Sequence, residues 1–67
     1  MGDVKLERDW LINLRNVSRL TQQDVADETG LSRSFYSQIE CGERGPSPDT
    51  AKLLGEYFGF DWTRFYD

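Results

Sequence analysis

Apolar residues recur along this chain at three- and four-residue steps rather than in alternation. Leu6, Trp10, Leu11, Leu14 and Val17 fall on one helical face, with Glu7, Arg8, Asp9 and Arg15 between them. The spacing predicts a first helix from about Lys5 to Val17. The stretch "LTQQDVADETG" then opens with a capping signal. Thr21 offers a side-chain oxygen to the first free amides of a new helix, and Asp24, three residues on, is the reciprocal partner of a capping box. A second helix therefore starts near Gln22 and stops at Gly30, since a helix end commonly needs the positive φ that glycine adopts without a clash.

Ser32 caps a third helix, about Arg33 to Glu40, whose Phe35, Tyr36 and Ile39 supply apolar contacts while Arg33, Ser34, Ser37 and Gln38 lie on other faces. Gly42 closes it. Ser47 caps a fourth, with Pro48 at the first helical position, where its missing N–H costs nothing. That helix runs to about Phe58 and ends at Gly59. Asp61 caps a last short turn carrying Trp62, Phe65 and Tyr66. With no strand-period alternation and only short links, the pattern predicts one compact all-α domain of five helices over residues 1–67.

Composition narrows what such a domain does. A chain of 67 residues buries only about 60% of its unfolded-chain surface, so its stability margin is thin. At 37% hydrophobic and 13% aromatic it is too apolar for disorder. No apolar run approaches the ~18 residues of a membrane span, so a soluble chain without membrane contact is expected. The N-terminus "MGDVKLERDW" lacks the apolar core of a secretory signal, and Cys41, being alone, forms no intramolecular disulfide; both point to a reducing cytoplasm. Histidine is absent, which with a single cysteine excludes a structural zinc site and any Ser–His or Cys–His catalytic pair. The carboxylates fall at capping and surface positions. No enzyme activity, metal or cofactor is expected, and Cys41 reads as a small residue at a helix end.

The residues "LTQQDVADETGLSRSFYSQIECG" followed by "RGPSPDTAKLLGEYFGF" closely resemble the phage repressor and Cro-like helix-turn-helix family, also called the Xre family, over residues 11–66. Leu20-Thr21-Gln22, Val25-Ala26, Gly30, Ser32-Arg33, Ile39-Glu40, Gly42, Pro46-Ser47, Leu54 and Gly59 stand in the order of that family. The resemblance implies a lambda-repressor-like fold with the helix-turn-helix at the second and third helices. The third helix would lie in the major groove of double-stranded DNA, and the second would cross the backbone with its N-terminus at a phosphate. By position, Arg33, Ser34, Ser37 and Gln38 would face base edges. Arginine suits guanine O6 and N7, and glutamine suits adenine N6 and N7. Gln22 would touch phosphate and brace the third helix, while Thr21, Gln23, Arg44, Gly45 and Ser47 would reach phosphates through side chains or amides. Arg15 and Glu40 occupy positions that form a structural ion pair in the family.

Charge and aromatic content modify that expectation. Twelve acidic against eight basic residues give a formal net charge of −4, so nonspecific phosphate attraction should be weak and binding should depend on local placement. Asp27 and Glu28 are expected to point away from the duplex, whereas Glu43 adjoins Arg44 in the loop that approaches it. Arg19 stands where many relatives carry glycine, and a left-handed backbone there would cost about 1 kcal/mol. Gly55 interrupts the fourth helix at a propensity cost of roughly 1 kcal/mol, which predicts a close helix approach.

The end "EYFGFDWTRFYD" holds more aromatic surface than so small a domain readily covers. Phe58, Phe60 and Phe65 are expected mainly in the core, and Trp62 and Tyr66, with a contribution from Phe65, at a homodimer interface. A homodimer would read two half-sites of a palindromic operator about 34 Å apart. The reading is thus a cytoplasmic transcriptional regulator, most simply a repressor. Restriction-modification controllers and antitoxin-type regulators fit the same pattern, and a protein-interaction module that kept the fold without DNA affinity is the contrasting class.

Overall fold

Each α-helix begins on a hydroxyl or an anchored loop, and the second, third and fourth end on a left-handed glycine. The computed structural model describes residues 7–66. Among them the chain forms four α-helices, α1 (Asp9–Val17), α2 (Gln22–Thr29), α3 (Arg33–Cys41) and α4 (Pro48–Phe58), and a closing 3₁₀ helix, Trp62–Tyr66. The capping box at α2 is complete: the Asp24 amide donates to Thr21 Oγ1 at 3.0 Å and the Thr21 amide to Asp24 Oδ2 at 2.9 Å. Ser32 and Ser47 accept from the amides of Phe35 and Thr50 at 3.1 and 3.3 Å. Gly30, at φ +81°, turns the chain between α2 and α3 so that residues 30–32 suffice as the link.

Three expectations change. The fifth helix is a 3₁₀ turn rather than an α-helix. Asp61 Oδ1 accepts from the Thr63 amide and hydroxyl, and the Arg64 amide reaches back three residues to the Asp61 carbonyl, which tightens the segment. The first helix begins at Asp9; Lys5 and Leu6 lie outside the described residues, but Arg8 is already non-helical because it is used elsewhere. Its amide donates to the Glu40 carbonyl at 2.8 Å and its guanidinium to the Ile39 carbonyl at 2.6 Å, satisfying two carbonyls at the end of α3. Val17, expected on the core face, is 80% exposed. Two turns beyond Trp10, it shares that residue's side of the helix and not that of buried Leu11.

Every element contributes to the core: Leu11 from α1, Val25 from α2, Tyr36 and Ile39 from α3, Ala51 and Leu54 from α4, and Phe65 from the 3₁₀ helix. Gly55 lets the last part close, although its neighbour is the returning chain and not another helix. A Cβ there would lie 2.8 Å from the Phe60 carbonyl oxygen and 3.2 Å from the Trp62 nitrogen. This approach brings Phe60 and Phe65 against Trp10 of α1, with ring centroids 5.0 and 5.2 Å away. The C-terminal turn thereby fixes α1, and α1 fixes α2 and α3.

Candidate nucleic-acid interface

Helical periodicity divides α3 into two faces. At about 100° per residue, Arg33, Ser34, Ser37 and Gln38 span roughly 140° of one side. Phe35, Tyr36, Ile39 and Glu40 occupy the other, where all but half-buried Phe35 are buried. Arg33 and Ser34 are exposed in the first turn, and Ser37 and Gln38 are half-buried one turn later. The outward face thus carries polar donors and acceptors on a helix whose inward face is locked to the core.

A buried polar network supplies the lock. Glu40, only 3% exposed, accepts from Arg15 Nε at 2.6 Å and Nη2 at 3.2 Å, and from Gln22 Nε2 at 3.0 Å. Arg15 Nη1 also donates to the Leu20 carbonyl at 3.0 Å, tying in the turn before α2. The network thus joins α1, the turn, α2 and α3. Burial pushes the Glu40 pKa up, but the hydrogen bonds outweigh it and hold the carboxyl below its ordinary value. The buried Tyr36 hydroxyl beside this carboxylate has no hydrogen-bond partner of good geometry, so Arg15 and Gln22 hold the charge. Burial first, and the carboxylate second, push the Tyr36 phenol well above its usual range.

Around this frame, Arg15, Arg19, Thr21, Gln22, Gln23 and Arg33 line one open cleft between the turn and the start of α3. Arg19 has a left-handed backbone at φ +60°, the conformation that disfavours a side chain. Gln23 is exposed and donates to Asp27 at 2.8 Å, and Glu28 accepts from the Tyr57 hydroxyl of α4 at 2.6 Å, so these two acids of α2 have partners within the protein. That carboxylate holds the Tyr57 phenol up at about 12.

Thr21 and Ser47 are exposed, but each hydroxyl already caps a helix, and exposed Gly45 leaves only its backbone for contact. Arg44 reaches back to α3. Its Nε donates to Gln38 Oε1 at 3.0 Å, its amide to the Gln38 carbonyl at 3.2 Å, and its guanidinium sits 5.9 Å from the Phe35 ring centroid. Glu43 beside it is exposed. The side chains of Gln38 and Arg44 were assigned separately from sequence; a helix ended by glycine folds them together across a six-residue separation.

At the opposite end the aromatic residues divide. Trp62 is half-buried, with the Lys52 ammonium 5.2 Å from its ring and Tyr66 edge-on at 6.0 Å. Tyr66 is 54% exposed, and its hydroxyl donates to the Pro46 carbonyl at 3.1 Å. Phe65 does not belong to this surface. It is 8% exposed and packed between Trp10, Phe60 and the Arg8 guanidinium, because α1 covers it.

Comparison with known proteins gives the same architecture. The helix-turn-helix family profile matches residues 11–65. The uncharacterized HTH-type transcriptional regulator YqaF of Bacillus subtilis (strain 168) is 42% identical over 60 residues, spanning 90% of this chain and 79% of its own length. No solved structure gives a significant match.

Proposed function

The chain belongs to the phage repressor and Cro-like (Xre) helix-turn-helix family of DNA-binding transcriptional regulators, and from that premise we propose that it is a repressor whose two copies read a palindromic operator. The observation that carries this reading is the outward face of α3, anchored on its other side by the Arg15–Glu40–Gln22 network. Inserted in the major groove, Arg33 and Ser34 would meet base edges first and Ser37 and Gln38 one turn further in. Thr21, Gln22 and Gln23, on the cleft at the start of α2, take phosphate, as do Arg44 and the amides of Gly45 and Ser47.

Trp62 and Tyr66 are the residues we assign to a homodimer contact, with residues 1–67 acting as a single domain in the cytoplasm. The pairing sets two copies of α3 one DNA turn apart, about 34 Å. Arg33→Ala tests the reading. It should weaken binding to the operator by about 1–3 kcal/mol and relax preference at one base per half-site. An equal fall in specific and nonspecific affinity would make Arg33 a phosphate contact instead.

A further inference from the structure

We propose that Arg44 sets the base preference of Gln38, turning a side chain able to read adenine into one that presents only donors. The inference rests on the DNA-reading role of α3 proposed above. A free glutamine amide has one acceptor oxygen and two N–H donors, and adenine recognition uses both ends, the oxygen for N6–H and the nitrogen for N7. Here the oxygen is occupied by Arg44 Nε at 3.0 Å.

The amide cannot rotate to exchange its ends. A guanidinium has no acceptor, so a flipped Gln38 would set N–H against N–H. Arg44 is itself held at two further points, its amide on the Gln38 carbonyl at 3.2 Å and its guanidinium over the Phe35 ring. Lone-pair capacity remains on Gln38 Oε1, but a base amino group approaching it would meet the positive guanidinium alongside. The face offered to the groove is therefore Gln38 Nε2 with the remaining Arg44 N–H groups. Such an all-donor head matches the paired acceptors of guanine, O6 and N7, or the single O4 of thymine, and disfavours the amino groups of adenine and cytosine.

Selection from a random duplex library tests this with four proteins: wild type, Gln38→Ala, Arg44→Ala and Arg44→Lys, each first checked by circular dichroism melting. The base position that loses its preference in Gln38→Ala is the position Gln38 reads. Wild type should favour guanine or thymine there over adenine by at least about fivefold, the low end of what one good side-chain–base pair supplies. Arg44→Ala should shift that position toward adenine, and Arg44→Lys, which still offers a donor to the Gln38 oxygen, should keep the wild-type preference. Should Arg44→Ala fold poorly, Arg44→Met, which retains the stem over Phe35, takes its place with the same expected shift. Adenine preference in wild type overturns the proposal. So does a loss of affinity in Arg44→Ala with base preference unchanged, which would make Arg44 a phosphate contact alone. A wild type that enriches no sequence overturns the DNA reading itself, a failure distinct from the first two.

Discussion

Removing the Glu40 carboxylate should cost this protein a large part of its stability. Glu40 is 3% exposed and the Arg15 side chain 15%, so Glu40→Ala leaves a largely buried guanidinium without its carboxylate partner. Breaking a buried pair from one side typically costs about 3–5 kcal/mol. A domain of 67 residues has a total stability of only about 3–10 kcal/mol, at roughly 0.05–0.15 kcal/mol per residue. The single variant should therefore lose at least about a third of that stability, and at the low end of the range it unfolds at 25 °C. Replacing both partners by apolar residues of similar volume, Arg15→Met with Glu40→Leu, removes the stranded charge and should recover most of the loss, because attraction in such pairs roughly balances desolvation. Urea titration followed by tryptophan fluorescence and circular dichroism measures the four corners of that cycle, wild type, Arg15→Met, Glu40→Leu and the double variant, with sucrose added equally to each so that the weak single variants remain measurable. A coupling of at least about 2 kcal/mol is expected. Additive losses would show that the two charges do not stabilise each other. The same network fixes a pH dependence. The folded-state pKa of Glu40 is depressed, so its contribution is fully present above the unfolded-state value near 4.5 and is lost as pH falls through the lower folded value. Glu40→Gln should flatten this acid limb of stability, and an unchanged limb would assign it to other carboxylates.

Three further outcomes are expected. Arg19→Gly relieves a left-handed backbone at φ +60°, and after the extra unfolded-state entropy of glycine it should be neutral or stabilise by up to about 0.5 kcal/mol; a clearly lower melting temperature would show that the arginine side chain outweighs its strain. Gly55→Ala improves helix propensity by about 1 kcal/mol but forces a methyl against backbone, so a net loss of about 1 kcal/mol or more is expected in denaturation. Stability equal to or above wild type would refute the close approach. Trp62→Glu should shift the protein toward monomer in sedimentation at several concentrations while α3 stays folded, since the new charge is solvated only in the free subunit; a wild type that is monomeric at every concentration, with and without DNA, contradicts the dimer.

Local signals in the sequence carried the helices. Thr21, Ser32 and Ser47 each cap within three residues, and Gly30 and Gly59 each end a helix in the left-handed region. Information of that range survives in a linear chain. Arg8 and Val17 were not readable in this way. Whether Arg8 extends α1 or seals α3 depends on a contact across 31 residues, and Val17 follows the apolar period yet is left 80% exposed. Phe65 and Trp62 are three residues apart and share a face of the 3₁₀ turn, so how deeply each is buried depends on where α1 and α4 meet that face, which local spacing does not specify. The geometry between Arg15 and Glu40, 25 residues apart, was implied by the family resemblance and by nothing in local spacing. The lock between Gln38 and Arg44 needs both the glycine-ended helix and the path of the loop, neither of which residue type alone specifies.

Whether the protein reads duplex DNA by sequence is decided by competitive anisotropy titration. A duplex enriched from the random library and a shuffled duplex of equal composition would be titrated with the protein between about 50 and 200 mM salt. The enriched duplex should bind at least about a thousandfold more tightly. Both affinities should fall with salt by a log–log slope near −0.9 for each phosphate neutralised. Equal affinity for the two duplexes, or no binding to either at the lowest salt, would contradict it.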